Sequence, residues 1–510
     1  VNAILTYSAK LIGIAFQRSP LTTASPRTHY QATFAVLATA VSAYALLQSL
    51  VVPVLSTVQA GLHTTQSTVT WVLTAYLLSA SIFTPIMGRL GDMYGKARLL
   101  TYAVAALTIG SLLAALAGSI SVMIVARVIQ GVGGGVLPLS FGIIRDEFPR
   151  EKVSGAIGII AALAAAGAGF GIVLAGPIVE ALDYHWLFWI PMIILAIAVV
   201  ATKVVVPESP VRTAGKLSWP GAILLSGWLV ALLLGVSEGP TWGWGSGKVI
   251  ALLIGAVVLA VAWVFAESGS SHPLIDMHMM RIPAVWTTNL VSLLLGVGMY
   301  AVFAFLPEFL QTPRSAGYGF GASITDSGLL LLPAAVFMFV FGMLSGRLSR
   351  VFGAKALLGA GGVISIVTFV LLTVAHTEQW EILLAMAIEG IGFGLAFASM
   401  SNLVVAAVPR EQTGVASGMN ANIRTIGGSI GAAVMSSIVT SHPQSSGLPR
   451  GIGYTHGFAM LTVVSVAAAA AALLVPSTRR TTVPMDDREL LPHAELGLLA
   501  AGTLSGDEPE

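Results

Sequence analysis

The chain has 510 residues and no cysteine, which excludes disulfide bridges, thiolate nucleophiles and cysteine-ligated metals. Charge is almost as scarce: Asp, Glu, Lys and Arg together make up 9% of the residues, and the formal net charge is +2. So small a balance gives no electrostatic argument for a nucleic-acid partner. Neither GxxxxGK[ST] nor HExxH occurs, which removes the phosphate-binding loop of an ATP-driven pump and the helix of a zinc protease. The histidines are scattered, as at His63, His272 and His278, and no polar stretch is long enough to form a separate soluble domain. An enzyme is therefore disfavoured, and no cofactor or metal is expected.

What is abundant is apolar surface. Apolar residues make up 56% of the chain, and the mean hydropathy is +0.87. A bilayer core about 30 Å thick requires roughly 20 apolar residues per spanning helix. Runs of that length occur near 32–55, 67–87, 97–118, 121–144, 153–180, 185–206, 217–236, 248–267, 284–310, 326–346, 354–375, 380–407, 413–440 and 456–476. They show no strict alternation, and only helices or closed barrels satisfy their backbone groups within hydrocarbon. The expectation is an all-α polytopic membrane protein with fourteen spans. Residues 1–31 read as an N-terminal cytoplasmic tail, lengthened if Val1 is not the natural start. Its patch "LIGIAF" is too short for a secretory signal, and 477–510 read as a C-terminal cytoplasmic tail.

An even number of spans puts both termini on one side. With that side taken as the cytoplasm, 20 of the 25 basic residues are inside. Lys248, Arg314 and Arg450 are outside, and Arg127 and Arg424 fall within spans. The positive-inside rule thus orients the chain with both termini in the cytoplasm. The location expected is the plasma membrane.

The charge is not evenly spread. "GRLGDMYGKARLL" at 88–100 carries Arg89, Asp92, Lys96 and Arg98 and reads as a loop between the second and third spans. A near-copy, "GRLSRVFGAKALL", returns at 346–358. "IQGVGGG" (129–135) faces "IEGIGFG" (388–394), and "PRE" recurs at 149–151 and 409–411, always at an offset near 258–260. Three landmarks in order indicate a duplicated six-helix unit. The halves are 32–206 and 284–476, with spans 7 and 8 inserted across 207–283. Parallel repeats of this kind build transporters whose substrate site lies between the halves near the midplane.

Residues 88–100 resemble motif A of the major facilitator superfamily, Gly-x-Leu-Ala-Asp-Arg-x-Gly-Arg-Lys, in the expected place. "RVIQGVGGG" (127–135) resembles motif B, and "GAGFGIVLAGP" (167–177) resembles the antiporter motif C with Gly167, Gly171, Gly176 and Pro177. There, Ile178, Val179 and Glu180 follow where the family usually has a glycine pair. With fourteen spans, the chain is similar to the fourteen-helix drug:proton antiporters. The resemblance implies proton-coupled efflux of drug-like or amphipathic small molecules by alternating access, by a monomer in the lipid bilayer. Metabolite uptake and facilitated diffusion are the alternatives, and a receptor would leave the motif A repeat unexplained.

The resemblance implies a conformational gate at Gly88, Asp92, Gly95 and Arg98, although a carboxylate at a helix end is the plainer reading of Asp92. For Arg127 it implies a part in proton coupling. An ionisable residue inside a span usually faces a cavity, and Arg424 is a comparable case; either could instead tie helices together. A proton-coupled carrier also needs a group that holds its proton in a dry site and releases it when water or a cation arrives. Glu389, which faces Gln130 across the repeat, is the first candidate and Glu308 the second. Each is as readily a carboxylate neutralised by an arginine such as Arg424. Where the family commonly has an acid in helix 1, "SAYALLQSLVVP" offers Tyr44 and Gln48. Together with Tyr76, Gln130, Asn289, Tyr300, Asn402, Asn420 and Asn422 they describe an amphipathic cavity, though any one alone is more often a helix–helix hydrogen bond than a ligand contact.

Overall fold

The computed structural model describes residues 30–209, 217–271, 273–441, 444 and 448–476. The expected tails lie outside this range, save for Tyr30 and Gln31, which begin the first helix. So do Lys10, Arg18, Arg27, Arg212, Lys216, Arg479, Arg480, Arg488 and His272.

Fourteen helices are long and apolar enough to span a membrane. They are α1 (Tyr30–Val54), α2 (Trp71–Tyr94), α3 (Lys96–Ala115), α4 (Ile120–Glu147), α5 (Arg150–Ala181), α6 (Trp186–Val205) and α7 (Trp219–Trp242). There follow α8 (Gly247–Ser268), α9 (Pro283–Gln311), α10 (Ile324–Phe352), α11 (Ala354–Val374), α12 (Gln379–Ala407), α13 (Arg410–Thr440) and α14 (Gly451–Leu474). Several starts are capped by serine, whose hydroxyl accepts from an otherwise orphaned amide: Ser119 from Val122, Ser218 from Gly221, Ser246 from Val249 and Ser323 from Asp326. α12 opens with a reciprocal capping box between Glu378 and Glu381.

The largest departure from the sequence reading is at residues 88–100, which form no loop. α2 runs on to Tyr94 and α3 starts at Lys96, leaving Gly95 as the turn. Hydropathy marks where charge begins, but Arg, Leu and Met are good helix formers, so the helix continues past that point. The reversal needs a glycine: Gly95 has φ +116°, and Gly353, its repeat counterpart between α10 and α11, has φ +84°. Side chains are strained in that region.

The helices form two six-helix halves, α1–α6 and α9–α14, with α7 and α8 inserted between them in the chain. Leu37, Val104, Leu107, Ile143 and Leu187 are core residues of the first half. Phe309, Phe369, Phe393, Tyr454 and Phe458 are core residues of the second. α7 and α8 bring Leu225, Leu229 and Trp263 against Val415 and Met419 of α13. Large apolar side chains such as Ile197, Ile223, Phe265 and Val374 point outward, as a surface solvated by lipid requires.

Two helix pairs make the most extensive contacts between the halves, and the repeat relates them: α2 with α13, and α5 with α10. Along α5–α10 small residues meet from one end to the other. A Cβ on Gly346 would lie 3.1 Å from the Gly155 Cα, one on Gly169 2.8 Å from the Ala335 Cβ, and one on Gly176 2.5 Å from the Thr325 hydroxyl. α2 and α13 touch this closely only toward the Gly95 end, at Gly88–Gly414 and Thr84–Gly418. Beyond that, both helices line a cavity.

Candidate functional site

At the Gly95 end, α2 delivers Asp92 to the start of α13. A Cβ on Gly88 would lie 2.6 Å from the Gly414 carbonyl oxygen, so glycine at both positions lets the backbones meet. One turn on, the Val415 amide donates to Asp92 Oδ2 at 3.2 Å. The carboxylate thereby sits at a helix N-terminus, where the dipole favours it by about 0.3–1 kcal/mol and up to ~2 when partly buried. Lys96 Nζ lies 3.5 Å from Asp92 Oδ1 and 2.6 Å from Asp146 Oδ2, and the Asp92, Lys96 and Asp146 side chains are all 0% exposed. The Ser209 hydroxyl donates to Asp146 Oδ2 at 2.5 Å.

Arg145, beside Asp146 in the last turn of α4, reaches across to the other half. Its guanidinium donates to the Val408 carbonyl (2.7 Å), the Pro409 carbonyl (3.2 Å) and the Thr413 hydroxyl (2.6 Å). It thus occupies the carbonyls of the link between α12 and α13 and the first turn of α13. Two carboxylates and two cations of the first half therefore form one cluster, which reaches the second half through the Asp92–Val415 bond and the three Arg145 bonds. Glu208 seals its edge by accepting from the Ala97 and Arg98 amides at the start of α3. Arg98 itself contributes that amide, while its side chain is exposed.

The second copy keeps the glycines and lacks the acids. Gly346 packs on Gly155 as Gly88 packs on Gly414. Where Asp92 stands in the first copy, Arg350 is exposed and reaches only the Glu151 carbonyl, at 3.4 Å. Lys355 donates to the Leu473 carbonyl at the surface.

Between the halves lies a cavity of about 480 Å³, lined by α1, α2, α4, α5, α7, α9, α12 and α13. A drug-sized ligand fits such a volume. Of the residues singled out from sequence, Tyr44, Gln48, Tyr76, Tyr300, Arg127 and Arg424 line it, as does Asn422. Gln48 Nε2 donates to the Tyr300 hydroxyl at 3.1 Å, linking α1 to α9 across the cavity. Arg127 is fully buried. Its Nε donates to the Val72 carbonyl (2.9 Å), its Nη1 to Gln130 Oε1 (2.8 Å), and its guanidinium carbon stands 4.3 Å from the Tyr76 ring centroid.

Other candidates lie away from the cavity wall. Gln130 points to Ser111, to which it donates at 3.2 Å. Asn420 donates to Asn289 at 2.9 Å, tying α13 to α9, and Asn402 donates to the Ala398 carbonyl of its own helix. Gly167 and Gly171 pack on Ala45 and Ser49 of α1, Gly176 packs on α10, and Pro177 is exposed. Glu308 is exposed near Tyr454 toward the far end of α9. Glu389 is 1% exposed and accepts from the Ser365 hydroxyl at 2.9 Å, with Oε2 left unpartnered. It copies Gln130's reach toward a serine of the preceding helix. Among the described residues neither Glu389 nor Glu308 forms an ion pair, with Arg424 or with any other cation.

Sequence reasoning missed Lys96, Asp146, Arg145 and Glu208 as members of the cluster, and Ser237, Pro240 and Thr241 of α7 as cavity wall. A readable signal existed on α13: Asn422, Thr425, Ser429, Ala432 and Ser436 recur at helical spacing and all face the cavity.

The family model of the major facilitator superfamily matches residues 37–432 and 288–500. The chain belongs to that superfamily. It is therefore a transporter with fourteen spans. It is 27% identical, over 75% of its length and 71% of the relative's, to the tetracenomycin C resistance and export protein of Streptomyces glaucescens. Multidrug resistance protein 3 of Bacillus subtilis (strain 168) is 29% identical over 73% of this chain and 72% of its own. Among solved structures, the human organic anion transporter MFSD10 aligns with a TM-score of 0.64 at 15% identity, over 88% of this chain and all of that one. At that identity the likeness concerns the fold.

Proposed function

We propose that this transporter exports drug-like or amphipathic small molecules across the plasma membrane in exchange for protons, by alternating access. The observation that carries the reading is the pairing of a central cavity with a cluster of buried charge that joins the halves at one end only. A carrier of this kind must hold one end shut and still release it, so the contact should be worth a few kcal/mol. The Asp92–Lys96–Asp146–Arg145 cluster suits that requirement. Its ion pairs, Asp92–Lys96 and Lys96–Asp146, lie within the first half and need not break when the seam opens, so release breaks only the Asp92 and Arg145 bonds to the second half. The distribution of basic residues puts the Gly95 end in the cytoplasm, which makes the cavity outward-facing here. Relatives whose names record drug resistance and export support the direction.

For proton coupling, Glu389 is the first candidate. It is a buried carboxyl held by a hydroxyl, with no cation paired to it among the described residues, and such a group can exchange its proton as water comes and goes. Arg127, Arg424 and Glu308 are the other members proposed. A single chain is taken as the working unit. The test is efflux of a dye panel from proteoliposomes under an imposed pH gradient. Proton-driven export predicts that efflux stops when the gradient is collapsed. Persistence would refute antiport, and net inward accumulation would establish uptake instead.

A further inference from the structure

We infer that the preferred substrate is an amphipathic anion, a flat apolar body carrying a carboxylate, enolate or phenolate, whose charge sits between Arg127 and Arg424. The inference rests on the export reading and narrows its substrate class.

Two guanidiniums face the cavity, and among the described residues no Asp or Glu lines it. Arg127 is 0% exposed; two of its three nitrogens are occupied by the Val72 carbonyl and Gln130, and Nη2 is left without a partner. Arg424 forms no ion pair among the described residues. Its guanidinium carbon stands 5.2 Å from the Phe397 ring centroid, and its ionisable neighbours are the phenols of Tyr300 and Tyr44. Charges within a span are retained where they meet a partner or a pathway, and here the protein supplies no anion. Planar, fork-shaped guanidiniums match a carboxylate in two-point contact.

The remaining polar groups fit the same ligand. Tyr44, Tyr76 and Tyr300 offer hydroxyl donors, and Asn422 is 1% exposed with both of its amide atoms unpartnered. Much of the remaining wall is apolar, with Leu73, Leu77, Leu137, Ile172 and Phe303 facing the space. A cationic amphiphile would meet two like charges at low dielectric and no acid to receive it.

The probes are 1-pyrenebutyrate, its neutral alcohol 1-pyrenebutanol and its cationic analogue 1-pyrenebutylamine, three ligands with one apolar body. Binding to the purified full chain in nanodiscs at pH 7 is followed by energy transfer from tryptophan. The acid should bind at least tenfold more tightly than the amine and severalfold more tightly than the alcohol. Arg424→Gln should remove the tenfold preference, and Arg424→Lys should restore most of it; thermal melting of each variant confirms that it is folded. Equal affinities, preference for the amine, no saturable binding of the acid, or an unchanged preference in both Arg424→Gln and Arg127→Gln would overturn the inference. Proteoliposome transport separates the two levels. Selective binding of the acid without gradient-driven export would overturn the export reading and leave the anion site standing. Export of the amine in preference to the acid would overturn the anion site and leave export standing.

Discussion

The two seams of this transporter began as copies and have become different. Both α2–α13 and α5–α10 cross on paired glycines, Gly88 on Gly414 and Gly346 on Gly155. α5–α10 stays in contact along its length, whereas α2–α13 closes only near Gly95 and parts to line the cavity. Among the described residues, only the parting seam carries buried charge: the Asp92, Lys96 and Asp146 side chains are wholly buried, while Arg350 and Lys355 in the other copy make single bonds at the surface. The glycines supply close approach. The charges place Asp92 and Arg145 in hydrogen bonds to the second half, contacts that suit the opening and shutting proposed for this seam.

The comparison is broken most severely at Asp92. Asp92→Asn keeps an oxygen for the Val415 amide and leaves Lys96 its partner Asp146, so folding should survive. The charge at the α13 N-terminus is lost, and initial efflux rates in proteoliposomes should fall at least tenfold, about 1.4 kcal/mol in the barrier. Arg350→Gln at the matching site should stay within about twofold, as expected of exposed polar contacts. Next comes Arg145→Ala, which removes three bonds from a charged donor, each worth roughly 1.5–3 kcal/mol. Thiol labelling of an introduced Ser417→Cys should then become faster, against a background free of native cysteine.

Glu389→Gln makes the two copies alike, since Gln130 already stands at the equivalent position. If Glu389 carries the proton, efflux in this variant should no longer respond to an imposed pH gradient, while substrate exchange without a gradient continues. An unaltered gradient response would move the coupling group elsewhere. The smallest effect is expected at Gly346→Ala. A Cβ there meets the Gly155 Cα at 3.1 Å, whereas Gly88→Ala drives one to 2.6 Å from the Gly414 carbonyl oxygen. Transport should suffer more from Gly88→Ala than from Gly346→Ala, measured side by side.

Much of the architecture was legible because hydrocarbon permits so little else. The fourteen apolar runs correspond one to one with α1–α14, and the duplicated stretches bring Gly95 and Gly353 into alignment, which the structure shows as equivalent turns. What stayed hidden depended on distance along the chain and on side-chain direction. Lys96 and Asp146 lie 50 residues apart, and Arg145 meets Thr413 across 268; no local pattern announces such pairs. Helices apolar all round give no periodic sign of which face meets the cavity. Asn289 and Asn402 therefore gave no sign of their direction, whereas on α13 the stripe that includes Asn422 and omits Asn420 could have been read. Residues 88–100 were misread as a loop for a related reason: charge there belongs in part to a buried cluster, and the helix runs on through it to Tyr94.

The central claim, that Asp92 holds the halves together at the Gly95 end, is most directly tested by spin labels placed across that seam. Tyr94 and Arg410 are both exposed there, and their cysteine variants provide the only two thiols in the chain. Double electron–electron resonance on the labelled protein in nanodiscs should show a dominant short distance. Adding Asp92→Asn should shift the population to a longer one, while Arg350→Gln leaves the distribution unchanged. An unchanged distribution in Asp92→Asn would contradict the account.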